Sequence, residues 1–265
     1  MPRIPDELQR SVVFIYPDCA AAKEGQRAGG SGFLLRRFNS ATGQMKYFVI
    51  TNTHVAQGRN RTLHIAAGTE NSFFYDVPGS AWVPHPAGDD ISSAELTFDY
   101  TSGVATLDWS AISASKQRLD ELNAGVGDDV FMLGRFLSHN SLQIDQPLAR
   151  FGNIAMMPGC PIRDGRGIEV EAFLIEMRSL SGFSGSPVFV YMGPGTYRGN
   201  GTMMPFFTET IGLIGIDTGH KTIRGDVRSA ESNSKTELFV PLNTGIAIVS
   251  PVWRIEELLD AMSAS

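Results

Sequence analysis

GFSGSPVFV, residues 182–190, is the stretch on which the reading of this chain turns. A small serine, Ser184, stands among glycines between one apolar run ending at Met177 and another beginning at Pro187. A serine hydroxyl is a weak nucleophile by itself and needs a positioned base. Acyl transfer also needs two donors aimed at the oxygen on which negative charge develops. Glycine at 182 lets the backbone turn so that the N–H groups of Gly182 and Ser184 can point into one pocket. Taken alone, the stretch reads equally well as a Gly/Ser-rich turn between strands. Partners for the serine must come from elsewhere in the chain.

A base is offered by YFVITNTHVA, residues 47–56. An apolar strand ends in short polar residues and then His54. That puts the imidazole at the mouth of a β unit, where a general base is needed, and not on its wall. The other histidines have weaker settings. His64 lies inside a strand pattern, His85 precedes a proline, and His139 and His220 fall in loops. A carboxylate able to accept from the second ring nitrogen is offered by WVPHPAGDDISSAEL, residues 82–96. Asp90 is the candidate there, with Asp89 as its immediate rival and Asp99 further off. The order along the chain is then His, Asp, Ser.

Strand signals dominate the rest. SVVFIY (11–16), SGFLLRRF (31–38), KYFVIT (46–51) and TLHIAA (62–67) are short, β-branched or aromatic, and bounded by turn residues. DVFML (129–133), ARFGNIAMM (149–157), EAFLIEM (171–177), PVFVYM (187–192), TIGLIGI (210–216) and TGIAIV (244–249) continue the pattern. AISASKQRLDELNAG (111–125) lacks alternation and reads as a short helix or loop joining two β units, residues 1–125 and 126–265. In SPVWRIEELLDAMSAS (250–265), Ser250 can cap, Pro251 suits a first turn, and Val252, Ile255, Leu258 and Leu259 share one face. This predicts a terminal amphipathic helix packed on the second unit. Two long polar stretches, 193–206 and 219–235, read as loops.

The composition narrows the function classes. With 265 residues, 42% of them hydrophobic and 19% charged, the chain can bury a sizeable core and does not read as disordered. Net charge is −6 and the basic residues are scattered, which excludes nucleic acid as a main partner. The N-terminus lacks the pattern of a signal peptide and no run reaches membrane-spanning length, so no membrane association is expected. Cys19 and Cys160 lie far apart without metal-ligand spacing, and no histidine pair sits at helical ligand spacing. No metal and no cofactor are expected, and a cytoplasmic location is the default for so few cysteines.

The motifs together resemble the trypsin/chymotrypsin-like serine peptidases, in particular bacterial, intracellular-looking members with a single peptidase domain. The marks are G-S-G-F-L before the histidine strand, I-T-N-T-H-V at His54, H-P-x-G-D-D-I at Asp90 and G-F-S-G-S-P at Ser184. V-G-D-D-V-F-M-L-G (126–134) and L-A-R-F-G-N-I-A (148–155) resemble the opening of the second barrel. The likeness runs from about Ser11 to about Pro251. It implies an all-β fold of two six-stranded antiparallel β-barrels, chymotrypsin-like, with a C-terminal α-helix. It also implies a serine endopeptidase acting on protein or peptide substrates. His54 and Asp90 would come from the first barrel and Ser184 from the second, with an oxyanion hole at Gly182 and Ser184.

The chain departs from that pattern in places. Phe183 stands where relatives carry an acid or amide, Ser186 where a second glycine is frequent, and D-I-S-S-A-E-L where D-I-A-V is common. In digestive and clotting relatives a new α-amino group pairs with an acid before the nucleophile. Phe183 offers no such charge, so its ring is expected to hold the loop by burial instead. No PDZ-like segment follows, unlike the multidomain periplasmic relatives.

Of two rival readings, the first remains and the second fails. A catalytically silent relative would use the cleft as a protein-binding module. An α/β-hydrolase needs its histidine after the serine, where only His220 qualifies, and a glycine at 186. A cytosolic protease would need restraint, for instance by a regulatory protein partner. Around the primary specificity pocket the resemblance points to Arg178 and Ser179 on one side and Asp217 on the other. A free Arg178 would favour acidic substrates and a free Asp217 basic ones. A pair between them, favoured because an unpaired buried charge is costly, would give a neutral pocket.

Overall fold

The computed structural model describes residues 3–25, 28–56, 58–68, 71–97, 103–135, 146–164, 167–178, 182–195, 197–198, 202–203, 210–228 and 235–264. The first half contains α1 (Asp6–Arg10), β1 (Val12–Tyr16), α2 (Cys19–Lys23), β2 (Gly30–Asn39), β3 (Gln44–Thr51) and α3 (Thr53–Ala56). It continues with β4 (Arg61–Ala67), β5 (Asn71–Val77), β6 (Val83–Pro84), β7 (Ser92–Leu96) and β8 (Leu107–Asp108). Two short helices follow, α4 (Trp109–Ile112) and α5 (Lys116–Glu121), in the stretch expected to join the β units. The second half contains β9 (Asp129–Gly134), β10 (Leu148–Met156), β11 (Ile162–Arg163), β12 (Glu169–Val170), β13 (Phe173–Glu176) and β14 (Pro187–Met192). The chain ends with β15 (Tyr197–Arg198), β16 (Thr202–Met203), β17 (Thr210–Arg228), β18 (Lys235–Pro251) and α6 (Val252–Ala264).

The second half forms a closed antiparallel barrel of six strands in the order β10-β13-β18-β17-β14-β9. The first half differs from the expected closed six-stranded barrel. It is an eight-stranded sheet, ordered β5-β4-β1-β2-β3-β7-β6, with β8 parallel to β2. Among the described residues its end strands β5 and β6 do not pair with each other. β6 is only two residues long and ends at Pro84, which has no N–H to offer a further strand.

The alternation of strand side chains explains why the two halves hold together. In β1, Val13 and Ile15 point into the core of the first unit, while Val12, Phe14 and Tyr16 enter a cluster shared with the second. In β9, Val130 and Met132 fill the barrel, and Phe131 and Leu133 face the shared cluster. There Phe131 stacks on Phe189 at 5.0 Å between ring centroids. A strand buried on both faces loses the polar alternation of a surface sheet, as the run VVFIY shows. Burying one such side chain fully contributes about 1.5–3 kcal/mol.

Two sequence expectations are corrected. Residues 219–235 were expected as part of a polar loop. Instead β17 runs on to Arg228 against β18, pairing Ile223 with Leu242 and Asp226 with Phe239. Cross-strand pairing satisfies the backbone there in spite of the polar composition. The terminal helix begins at Val252, because Pro251 is still the strand partner of Gly215. Its Val252, Ile255, Leu258 and Leu259 are fully buried as expected, but in the shared cluster, beside Phe33, Leu35, Phe48 and Ile91 of the first unit. The helix therefore seals the junction of both halves and not the second alone.

Candidate active site

The polar residues that precede His54 each hold part of the site. Thr51, the last residue of β3, donates its hydroxyl to the Ser31 carbonyl at 2.7 Å. Asn52, fully buried, donates its amide to the Asp90 carbonyl at 2.8 Å. The Thr53 and Ser92 hydroxyls share a hydrogen bond of 2.9 Å. His54 then stands in the single turn of α3. Its Nδ1 lies 2.6 Å from Asp90 Oδ2, and its backbone N–H donates to Asp90 Oδ1 at 3.0 Å. The Asp90 side chain is 8% exposed and that of His54 49%, so the carboxylate is sheltered while the ring has an open side.

Asp89 faces another way. Its carboxylate lies 3.2 Å from Nδ1 of the buried His85 and 3.7 Å from Nε of Arg254 on α6. Arg254 also pairs with Glu171 at 3.1 Å and Glu257 at 2.9 Å. Burial depresses the Arg254 pKa, but the hydrogen bond it donates to Glu257 and the charges of Asp89, Glu257 and Glu171 outweigh it and raise it overall. Burial pushes Glu171 up, and donation from Trp253 and Lys116, with the nearby Arg254, brings it below the usual glutamate range. This network ties the Asp89–Asp90 turn to the terminal helix. The third carboxylate considered, Asp99, lies outside the described residues, as does His139.

Ser184 sits in the turn between β13 and β14. Gly182 has φ +100° and Gly185 has φ +88°, conformations that favour glycine. Gly185 is also pressed so close that a Cβ would come within 2.0 Å of the Ser31 carbonyl and 2.5 Å of Thr51 Oγ1. The N–H groups of Gly182 and Ser184 have no acceptor among the described residues, as an oxyanion hole requires. Among those residues no hydrogen bond joins Ser184 Oγ to His54 either. Such contacts often close only with substrate in place.

Ser31, on β2, fastens this turn to the histidine side. Its N–H donates to the Ser184 carbonyl at 2.8 Å, and its Oγ donates to the Gly182 carbonyl at 2.8 Å. The same Oγ accepts from the Arg135 backbone N–H at 2.9 Å. Next to it, a Cβ on Gly30 would lie 2.8 Å from both the Ser184 carbonyl oxygen and Val55 Cγ2. Those two atoms, one on Ser184 and one on the residue after His54, are therefore no further apart than twice that distance. Arg135 itself crosses from the second unit into the first. It is buried, donates to Tyr16 and to the Gly25 carbonyl, and lies over the Phe14 and Tyr16 rings.

Phe183 is fully buried in the barrel core, with the Arg150 guanidinium 5.2 Å from its ring centroid. Ser186 is buried too, and its hydroxyl has no partner among the described residues. The space for it comes from Gly134, where a Cβ would fall 1.9 Å from Ser186 Oγ. Of the residues assigned to the specificity pocket, Asp217 is completely buried and Arg178 is exposed. Asp217 lies against the Ser184 turn, its N–H donating to the Ser186 carbonyl at 2.9 Å. Ser179 lies outside the described residues. His220 lies on β17, beyond the point where that strand meets the turn.

Sequence reasoning did not single out Ser31, Asn52 or Arg135. Asn52 and Thr53 carried a signal, two polar residues closing an apolar strand. Ser31 and Arg135 carried none, because their partners are distant in the chain.

No protein-family model matches this sequence, and no curated protein does. Solved structures do. The chain is similar to Deg5, with a TM-score of 0.52 and 15% identity over 95% of this chain and 88% of that one. It is likewise similar to the HtrA-type protease AlgW, solved with a decapeptide, with a TM-score of 0.52 and 11% identity. That match covers 97% of this chain and 66% of AlgW. The fold is that of the trypsin/chymotrypsin-like serine peptidases. Among the described residues no helix is long and apolar enough to cross a membrane.

Proposed function

We propose that the protein is a serine endopeptidase with Ser184 as nucleophile, His54 as general base and Asp90 as the residue that orients it. The observation that carries this reading is the 2.6 Å contact between His54 Nδ1 and Asp90 Oδ2, which leaves Nε2 as the ring nitrogen not engaged by Asp90. In the first step Nε2 takes the Ser184 proton as Oγ attacks the scissile carbonyl carbon. The resulting oxyanion accepts from the Gly182 and Ser184 N–H groups. The C–N bond breaks as Nε2 returns the proton to the leaving amine, giving an acyl-enzyme. Water, deprotonated by the same nitrogen, then releases the acid. Asp90 holds the ring in the tautomer that this needs.

The substrates would be proteins or peptides. AlgW's structure with a decapeptide supports that class by likeness of fold. The boundary near residue 125 would separate the half that supplies His54 and Asp90 from the half that supplies Ser184. A fluorophosphonate probe tests the reading, because it labels only an activated serine. Labelling at Ser184, abolished in Ser184→Ala and His54→Ala, is expected. A protein that stays unlabelled while hydrolysing nothing in a peptide library would instead be a binding module on this fold.

A further inference from the structure

A cavity of about 250 Å³ opens between α1, the strands β4 and β5, and the residues just ahead of β10. His54, Asp90 and Ser184 do not line it. β4 lies along the opposite edge of β1 from β2, the strand that carries Ser31. Gln146 and Pro147 reach the cavity from the second unit and its other walls come from the first, so an occupant touches both. Small-molecule sites occur preferentially at such junctions.

Several polar groups of the wall are already engaged. His64 Nε2 and the Ser72 hydroxyl share a hydrogen bond of 2.7 Å, and the His64 ring packs against Phe74 at 4.7 Å between centroids. Gln9 Nε2 donates to the Ile4 carbonyl at 3.2 Å. The two charges of the wall are not engaged. Asp6 and Arg10 stand one turn apart on α1, in the order and spacing at which an acid and a base ordinarily pair. Yet neither pairs with the other or with any described residue. Arg10 Nε is shut off from solvent with no acceptor among those residues, a buried donor whose cost a ligand oxygen would relieve. Asp6 is exposed and marks the open side. Val12, Ala66 and Pro147 supply apolar surface.

We propose that this cavity binds a free α-amino acid with an apolar side chain. Its carboxylate accepts from the Arg10 guanidinium, its ammonium pairs with Asp6, and its side chain lies against Val12, Ala66 and Pro147. A simple anion would satisfy Arg10 but meet the Asp6 charge, and a simple amine would do the reverse. A zwitterion answers both. In an α-amino acid the two charges sit on one carbon, which suits side chains that are neighbours on a helix, whereas in a peptide at least one more residue separates them. The size agrees, because the volume falls just below the range of about 300–1,000 Å³ that holds drug-sized ligands. The site takes no part in peptide hydrolysis, and it stands whether or not Ser184 is a nucleophile.

Titration calorimetry of the full chain with L-leucine should show one site. Leucine should also raise the thermal midpoint, since it binds the folded protein and not the unfolded chain. Two relatives of leucine separate the charges: 4-methylpentanoate lacks the ammonium and 3-methylbutylamine lacks the carboxylate. Each should bind at least tenfold more weakly. Arg10→Gln and Asp6→Asn should each weaken leucine by a similar factor. If Arg10→Gln lowers the midpoint of the unliganded protein, Ala66→Leu takes its place. That change fills the cavity, leaves both charges where they are, and should abolish binding. Absence of leucine binding by both measurements at millimolar concentration overturns the proposal. So does equal binding of either relative, because the cavity would then hold a simple anion or a simple amine. Unchanged leucine binding in folded Asp6→Asn, Arg10→Gln or Ala66→Leu protein also overturns it, since the ligand would then sit elsewhere.

Discussion

Asp90 holds His54 at two points, Oδ2 lying 2.6 Å from the ring Nδ1 and Oδ1 accepting the backbone N–H at 3.0 Å. One sheltered carboxylate therefore fixes both the ring and the turn that carries it. Asn52 fixes the carboxylate's own backbone in return, by donating to the Asp90 carbonyl.

Asp90→Asn should lower kcat/KM by about four orders of magnitude, because the amide holds the imidazole in the wrong tautomer. Asp89→Asn should be much milder in turnover, since Asp89 faces His85 and Arg254. Peptide hydrolysis by the two purified variants decides it. Equal losses would show that the contact seen at His54 is not the one that orients the base.

Ser31→Ala should damage turnover although Ser31 has no chemical role. The change frees the Gly182 carbonyl and leaves the Arg135 N–H without its acceptor, at a cost of about 1–3 kcal/mol in stability. On the proposed mechanism, a loosened Ser184 turn should reduce kcat by up to about a hundredfold, with a smaller change in KM. Ser31→Thr, which keeps the hydroxyl, should recover part of it. Steady-state kinetics and urea unfolding measure the two effects.

Gly134→Ala should destabilise the protein by at least about 1–3 kcal/mol, since the new methyl would overlap Ser186 Oγ. Ser186→Gly removes that hydroxyl and should make the alanine more tolerable. Recovery should be incomplete, because the methyl would still lie 2.8 Å from Phe183 Cδ1. A double-mutant cycle by urea unfolding should give a coupling that favours the double variant over the sum of the singles.

The Glu171 network should make stability depend on pH in the acid range. Its carboxyl is held below its ordinary value in the folded protein, so the unfolded chain binds the proton more readily. The contribution is fully present above the unfolded pKa and is lost as the pH falls through the folded one. Glu171→Gln should flatten that part of the stability profile, and denaturation midpoints between neutral and acid pH should reveal it. The side chain is partly exposed, so the effect is modest and shrinks with salt.

Most strands were legible because their apolar runs are short and bounded by turn residues, as Val12–Tyr16 and Pro187–Met192 are. The polar end of β17 was not legible. Backbone pairing made strands of residues whose side chains resemble those of a loop. That β5 and β6 do not pair among the described residues was equally hidden, because no local pattern encodes which strand ends meet. Phe183 was expected to be buried, and it is.

Local chemistry in the sequence was enough to nominate His54, Asp90 and Ser184, because a base, a carboxylate and a Gly-flanked serine each have characteristic neighbours. It was also enough to predict the terminal helix face, since 3.6-residue periodicity is a property of the chain alone. Which aspartate meets His54 was decided only by the tertiary structure. Asp89 and Asp90 differ by one position, and the path of the turn sends one to Arg254 and the other to the imidazole. Ser31 fastening Ser184, and Gly134 making room for Ser186, likewise join residues far apart in the chain. Such contacts follow from the packing of two β units against each other, and packing is a relation between surfaces that no single segment contains.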